Sequence, residues 1–169
     1  SRQGEVRTLL LGEVVRNRDS ERRPITRAAR ESGEYPYYGA NGVQDHVASY
    51  LFDGTYLLMG EDGSVMDSHG HPVLNWAEGQ IWVNNHAHVL EEDHADLRLR
   101  YLFHYLQVAD IRPYVTGGMQ PKLNQGNMNR IPVPVPPVGE QDRIVGALDE
   151  LDLLVKELTT ELAAEGRAR

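Results

Sequence analysis

Two histidine pairs are the residues of this sequence best suited to bind a metal ion. They form the strings HGH at 69–71 and HAH at 86–88, and the carboxylates Glu61 and Asp62 precede them. Imidazole and carboxylate groups are common zinc ligands, but alternate residues of any strand share a face, and no third ligand follows at a characteristic spacing. We therefore expect no metal ion and interpret the second pair as structural or surface-contact residues.

Side chains that could catalyse a reaction lack the surrounding motifs that catalysis needs. The neighbours Glu61 and Asp62 would point in opposite directions on a strand, so they do not imply an acid–base pair. Ser64 and Ser68 lie outside any G-x-S-x-G turn, and GGMQPK at 117–122 is neither a P-loop nor a dinucleotide-binding fingerprint. We expect a protein that is not an enzyme, with no catalytic residue and no cofactor.

Polar loops suited to contacting DNA are the remaining chemical feature. Asn and Gln can pair with adenine, Arg and Lys can pair with guanine or phosphate, and glycine-turn N–H groups can bind phosphate. These groups cluster at 16–30, 37–42, 83–88 and 117–129, although loops that bind nothing remain an alternative. The candidate DNA-contacting residues are Arg16, Arg18, Arg22, Arg23, Arg27, Tyr38, Asn41, Asn84, Asn85, His86, Gln120, Lys122 and Asn124.

The charge distribution is uneven. The net charge is −8, which by itself argues against a polyanionic partner. The first thirty residues, however, hold eight arginines against four acidic residues, a net +4, so the other 139 residues carry −12. A basic patch on an acidic protein is one interpretation, and a solvated segment with unpatterned arginines is the other.

Composition indicates an ordinary folded protein. The 169 residues suffice for one domain with a core and an appended element, and 40% of them are hydrophobic. The chain has no cysteine, no apolar run of about 20 residues and no hydrophobic signal region at its start. We expect a cytoplasmic protein without a membrane partner.

Short apolar segments punctuated by glycine and aspartate predict a domain rich in strands. One helix or strand is expected at 8–16, followed by a loop at 16–33 with one helical turn around 26–30. Gly54 is expected to form a turn, and 62–78 a long loop. Strands are expected at 35–39, 46–52, 55–61 and 80–91.

A helix and a proline-rich strand complete the predicted domain. Asp93 is expected to cap a helix that runs to Val108 with one apolar stripe. RIPVPVP at 130–136 is expected to be an edge strand, because proline at every second position removes the hydrogen-bond donors from one side. We predict an α+β fold with a mixed or antiparallel β-rich domain at 1–136, followed by a helical arm at 137–169.

The last segment predicts a long helix with a coiled-coil seam. Gly139 is a suitable N-cap, and the 26 residues from there to Ala164 would span about 39 Å. Apolar residues recur at spacings of four and three, which favours a partner helix over a surface helix packed on its own domain. The seam residues are Ile144, Leu148, Leu151, Val155, Leu158 and Leu162.

Three strings in a fixed order carry a family resemblance. They are YPYYGANGVQDHVASYLFDGTYLLMGEDG at 35–63, IWVNNHAHVL at 81–90 and YVTGGMQPKLNQGNMNRIPVPVPPVGEQDRIVGALDEL at 114–151. In this order they resemble a target recognition domain and the following conserved helix of the specificity subunits of type I restriction-modification systems. The resemblance covers the chain from LGEVV at 11–15 through the heptad helix.

The resemblance implies a non-catalytic subunit that reads one half of a bipartite DNA site. It implies methyltransferase subunits that carry S-adenosylmethionine and flip the target adenine, and a restriction subunit that translocates DNA, as partners. Such subunits carry two recognition domains and two helical regions, whereas this chain has one of each. The chain is therefore expected to be half of a longer protein, or a half-sized form that pairs with a second copy through the seam. A module that only assembles other subunits, or a decoy that sequesters them, is the alternative.

Overall fold

A computed structural model of the protein describes residues 4–167. Strands form most of the domain, and four helices lie between or after them. The strands are β1 (Arg7–Leu10), β2 (Val15–Asn17), β3 (Ser32–Gly39), β4 (Gly42–Val47), β5 (Phe52–Gly60), β6 (Leu74–Val83), β7 (Ala87–Glu92) and β8 (Pro132–Val135). The helices are α1 (Leu11–Val14), α2 (Leu99–Leu106), α3 (Gln125–Met128) and α4 (Val138–Arg167). Short 3-10 turns occur at Asp19–Glu21, Arg27–Ala29 and Arg112–Tyr114.

Six strands form one mixed sheet in the order β2-β7-β5-β6-β3-β4. Neighbouring strands are antiparallel except β3 and β6, which run parallel through Tyr37 opposite Trp82 and Tyr38 opposite Val83. Strands β1 and β8 form a separate antiparallel ribbon. The α+β class, the β-rich sheet and the long C-terminal helix are thus confirmed.

The predicted strand boundaries need correction in the middle of the chain. The segment 80–91 is two strands, because the Asn84 Oδ1 atom accepts a hydrogen bond from the His86 N–H at 2.8 Å and turns the chain. The segment 46–52 is also divided, since β4 ends at Val47 and β5 begins at Phe52. Gly54 lies inside β5 opposite Gly79, and β6 already begins within the predicted loop at 62–78.

The predicted helix at 93–108 is shorter than expected. Asp93 is not its cap, because α2 begins only after Arg98. Its first free N–H groups are satisfied from elsewhere: the Arg98 N–H donates to Gln141 Oε1 at 2.8 Å and the Leu99 N–H to Glu92 Oε2 at 2.7 Å. Distant side chains therefore determine where this helix starts.

The two ends of the strand-rich domain meet at the β1–β8 ribbon. The predicted single element at 8–16 is three elements, because α1 interrupts the run between two strands and buries Leu11 and Val14. The Leu11 N–H donates to the Ile131 carbonyl at 2.8 Å, which joins this turn to the start of the proline-rich segment. The edge position predicted for that segment is confirmed, since β8 pairs with β1 alone.

A hydrophobic core lies between the sheet, α2 and the first turns of α4. Leu57, Leu90, Leu102 and Leu106 are almost completely buried in it, and Ile144 packs against its margin. A smaller cluster around Phe52, Leu58 and Ile81 lines another part of the sheet. Within residues 4–167, none of the helices combines the length and apolar character that crossing a bilayer requires.

Candidate DNA-binding surface

The turn between β6 and β7 forms the centre of the candidate surface. Asn84 is buried and holds the turn, whereas Asn85 and His86 at its tip are exposed. His86 Nδ1 lies within hydrogen-bonding distance of an oxygen of Asp62, in the loop that follows β5. The β6–β7 turn and the loop after β5 therefore present their side chains together.

A short hairpin at 116–122 lies beside Asp62. Thr116 and Lys122 exchange backbone hydrogen bonds of 2.8 and 2.9 Å, and the Gln120 N–H donates to the Gly117 carbonyl at 3.0 Å. Gly117 has φ +92°, and a Cβ there would lie 2.3 Å from the Gln120 carbonyl oxygen, so the turn requires glycine. The hairpin tip is exposed, and Lys122 Nζ lies 4.0 Å from Asp62 Oδ2.

The β3–β4 turn completes this surface. Asn41 is exposed there, and together with Gln44, Asp62, Ser64 and His86 it lines a shallow recess of about 180 Å³. Amide, carboxylate and imidazole groups in one recess offer both donors and acceptors to a base edge. Tyr38, just before the turn, is half-buried against the sheet, and burial raises the pKa of its hydroxyl.

The arginine-rich segment runs along the sheet next to these loops. The Arg23 N–H donates to the Val83 carbonyl at 3.2 Å, and Trp82 Nε1 donates to the Arg23 carbonyl at 2.7 Å. Both bonds hold the segment at the end of β6, directly before the Asn84 turn. The side chains of Arg23 and Arg27 are exposed, so their charges face solvent.

Three of the other arginines are engaged within the protein. Arg16 pairs with Asp93 at 2.6 Å, just past the end of β7 that lies away from the turn. Arg18 pairs with Glu91 at 2.8 Å and with Glu21. The hydrogen bond to Glu21, and after it the one to Glu91, raises the pKa of the Arg18 guanidinium. Arg22 is mostly buried: its Nη1 donates to Glu61 Oε2 at 2.5 Å and to the Ala87 carbonyl at 2.8 Å.

Such pairing means that the +4 charge counted along the first thirty residues overstates the positive charge of this surface. Asn124 likewise has an internal contact, since its Oδ1 caps α3 by accepting the Asn127 N–H at 2.8 Å. The structure brings together Arg23, Asn41, Asn85, His86, Gln120 and Lys122.

Comparison with known proteins decides the family. The family model of the type I restriction modification DNA specificity domain matches residues 4–165. The chain belongs to this family. This specificity domain is 40% identical over 153 residues to the type I restriction enzyme specificity subunit S.HindORF215P of Haemophilus influenzae. The aligned residues cover 90% of the chain and 39% of that protein.

Two further comparisons agree with this assignment. The specificity domain is 27% identical to the type I restriction enzyme EcoprrI specificity subunit of Escherichia coli over 88% of the chain and 36% of that protein. Its fold is that of a type I restriction-modification S subunit from M. genitalium, with a TM-score of 0.75 at 13% identity over 95% of the chain and 42% of that structure. The chain thus spans about two fifths of the length of these relatives.

Sequence reasoning missed several residues of the candidate surface. Asp62, considered above only as a metal ligand or an acid–base group, is the residue that contacts both His86 and Lys122. Gln44 and Ser64 are not among the candidate DNA contacts, because an isolated amide or hydroxyl in a loop does not indicate DNA binding in the sequence. Met119, at the hairpin tip, is fully exposed.

Two clusters of possible metal ligands occur among residues 4–167: Asp19, Glu61 and His88, and His104, Asp149 and Asp152. In the first cluster the Arg22 guanidinium bonds Glu61 and approaches Asp19 Oδ2 to 3.7 Å. An arginine therefore supplies the positive charge that a cation would bring. The absence of a resident metal remains a prediction.

The seam residues of α4 divide into two groups. Ile144 and Leu148 are half-buried, whereas Leu151, Val155, Leu158 and Leu162 are 53 to 68% exposed. Leu154 is also 50% exposed and lies on the same helical face, which makes the apolar stripe broader than the heptad pattern indicated. The stripe is available for an intermolecular contact.

Proposed function

We propose that this specificity domain recognises one half of a bipartite DNA sequence for a type I restriction-modification complex. The observation that carries the proposal is that loops from four separate parts of a chain of this family present amides, cations and an imidazole on one surface. Each loop is held by backbone hydrogen bonds or a glycine turn, so its side chains are displayed from a rigid support. Rigid support is what sequence discrimination requires.

The proposed surface separates affinity from specificity. Arg23, Arg27 and Lys122 are exposed cations suited to phosphate contacts, which fix position but carry no sequence information. Asn41, Asn85 and Gln120 offer amides to base edges, and the His86–Asp62 pair offers a donor and an acceptor. Arg22 is assigned a supporting role here, because its guanidinium is engaged by Glu61 and Ala87.

The proposed complex supplies the chemistry that this chain does not. Methyltransferase subunits would carry S-adenosylmethionine and modify adenine, and a restriction subunit would translocate and cleave DNA. A second recognition domain, from a longer chain or a second copy joined through the exposed stripe of α4, would read the other half of the site. Because its substrate is DNA inside the cell, the protein is proposed to act in the cytoplasm.

Salt dependence and base preference together test this proposal. A duplex selected from a random pool by the full chain is titrated at several salt concentrations. We expect the logarithm of affinity to fall linearly with the logarithm of salt, and Arg23→Ala and Lys122→Ala each to reduce that slope by about one at every sequence. Asn85→Ala is expected to relax the preference at one base pair, a loss of about 1–3 kcal/mol of discrimination.

A matched control is Arg143→Ala, which removes an exposed cation from α4. It is expected to leave the slope and the base preference unchanged. If the chain selects no duplex, or binds without salt dependence, while its helix still binds other subunits, the protein is an assembly module or a decoy and the proposal is wrong.

A further inference from the structure

His88 lies at the centre of the domain, beneath the candidate surface. Its side chain is completely buried on β7. Nδ1 lies 2.6 Å from Asp19 Oδ2, and Nε2 lies 2.6 Å from the Leu123 carbonyl oxygen. Both ring nitrogens therefore face oxygen atoms at hydrogen-bonding distance.

These contacts determine the protonation state of His88. A backbone carbonyl can only accept, so Nε2 must carry a proton. Asp19 also accepts the Val89 N–H at 2.8 Å, and its Oδ2 lies 3.7 Å from Arg22 Nη2. Burial by itself raises the pKa of Asp19, but His88, Val89 and Arg22 together lower it overall. The carboxylate is therefore ionised and Nδ1 must also donate, which makes the ring an imidazolium.

The buried imidazolium connects three segments that carry the candidate surface. Asp19 belongs to the arginine-rich segment, and Glu61, 3.8 Å from Nδ1, precedes Asp62. Leu123 directly follows the hairpin at 116–122, and its N–H donates to the Glu61 carbonyl at 2.8 Å. Removing the charge of His88 would loosen contacts to each of these segments at once.

We propose that protonated His88 is a positioning residue for DNA recognition, which holds the hairpin at 116–122 in register with the arginine-rich segment and the Asp62 loop. It touches no DNA itself. The proposal rests on the proposed function, because it assumes that these three segments form the DNA surface. It adds that the surface is assembled only while one buried ring carries two protons.

The sign of the pH dependence follows from the groups around the ring, which are Asp19, Glu61 and Arg22. Burial by itself lowers the pKa of His88, but the hydrogen bond and charge of Asp19, the Leu123 carbonyl and Glu61 raise it overall above 6.5. A raised pKa means that the stabilisation is fully present below pH 6.5 and is lost as pH rises through the raised value. DNA binding should therefore weaken on the alkaline side.

The test measures hydrogen exchange and DNA affinity of the full chain from pH 6 to 9.5, with exchange rates corrected for the intrinsic effect of pH. The probes are the duplex selected by the chain and the amides of Thr116 and Lys122, which bond to each other across the hairpin. As pH rises we expect faster hairpin exchange, unchanged exchange in β5 and β6, and DNA binding weaker by about tenfold, the loss expected when one buried hydrogen bond to a charged group is given up. Ring ¹⁵N shifts should report the His88 imidazolium at pH 7.

His88→Gln removes the charge and retains one donor, so its affinity should be low at pH 7, and its corrected hairpin exchange should not change with pH. The matched control is His46→Gln on the exposed edge strand β4, which should keep the wild-type pH profile. Should His88→Gln fail to fold, the wild-type titration still decides the matter. A neutral ring at pH 7, a loosened hairpin with unchanged affinity, or a flat pH profile would overturn the proposal. Failure of the wild-type chain to bind any duplex would instead overturn the proposed function.

Discussion

The two halves of α4 show how differently one continuous helix can be used. In the half nearer the domain, Gln141 is fully buried, and Asp149 Oδ1 accepts bonds from Arg100 at 3.0 Å and His104 at 2.7 Å. From Glu150 to Arg167 every residue is exposed, leucines included. Helix α2, with eight residues, is about 12 Å long, whereas α4, with thirty, is about 45 Å long, so α2 can cover only the first turns.

The hydrogen bonds between α4 and the region of α2 come from a different stripe of α4 than the exposed part of the seam. Gln141, Val145 and Asp149 are spaced four residues apart and lie on one side of the helix, and the first and last of them bond to the region of α2. The exposed stripe from Leu151 to Leu162 is rotated from them about the helix axis. The first half is therefore part of the domain, and the second half has its apolar stripe free for another chain.

The largest effect on this comparison is expected from Gln141→Leu. The amide accepts from the Arg98 N–H, and it donates to the Asp96 carbonyl at 2.6 Å and the Pro136 carbonyl at 2.8 Å. Leucine has a similar volume but leaves these buried groups unpaired, so the free energy of unfolding should fall by about 3 kcal/mol. Thermal and denaturant unfolding measure it, with the exposed Gln107→Leu as control. A loss below about 1 kcal/mol would show that the first half of α4 is not integral to the domain.

Gln141 also shows why part of the fold could not be predicted from the sequence. The long helix and the proline edge strand are local patterns, and they were predicted correctly. The start of α2 was not, because Arg98 is paired by a glutamine 43 residues away, and nothing in the sequence marks that contact. A helix terminus satisfied by tertiary partners has no capping signature.

The candidate surface likewise has features that the sequence could predict and features that it could not. Arg22 and Arg23 are adjacent and chemically equivalent in the sequence, and both were favoured as DNA contacts. In the structure one is mostly buried against Glu61 and the other is exposed. Which charge is neutralised depends on the fold bringing β5 and β7 beside the arginine-rich segment, so the composition of a loop predicts the class of contact but not the residue.

The second-largest effect is expected from a change in the exposed stripe of α4, and it is an effect on association rather than on folding. Leu151→Ala with Leu158→Ala removes two exposed leucines spaced by seven residues. Unfolding of the domain should change by less than about 0.5 kcal/mol, because exposed positions contribute little to it. Self-association or binding to a partner helix, measured by sedimentation, should weaken by about 10- to 100-fold, since two apolar interface contacts are lost.

The control for this pair is Asp152→Ala with Thr159→Ala, which has the same spacing one residue further along and lies off the stripe. It should leave the sedimentation behaviour unchanged. Equal behaviour of the two double variants would show that the stripe is not an interface and that both halves of α4 are merely surface helix.

The smallest effect is expected from Asp149→Asn, at the boundary between the halves. Burial by itself raises the pKa of Asp149, but its hydrogen bonds with His104 and Arg100 lower it overall. A lowered pKa contributes stability that is present above the usual value near 4 and is lost as pH falls through the lowered one. Because the carboxylate is 40% exposed, solvent screening should limit the loss at pH 7 to about 1 kcal/mol or less. The free energies of unfolding of the wild-type chain and of Asp149→Asn, compared from pH 2 to 7, measure this loss. Their difference should vanish at the acid end. A difference that persists there would mean that Asp149 contributes through packing rather than through its charge.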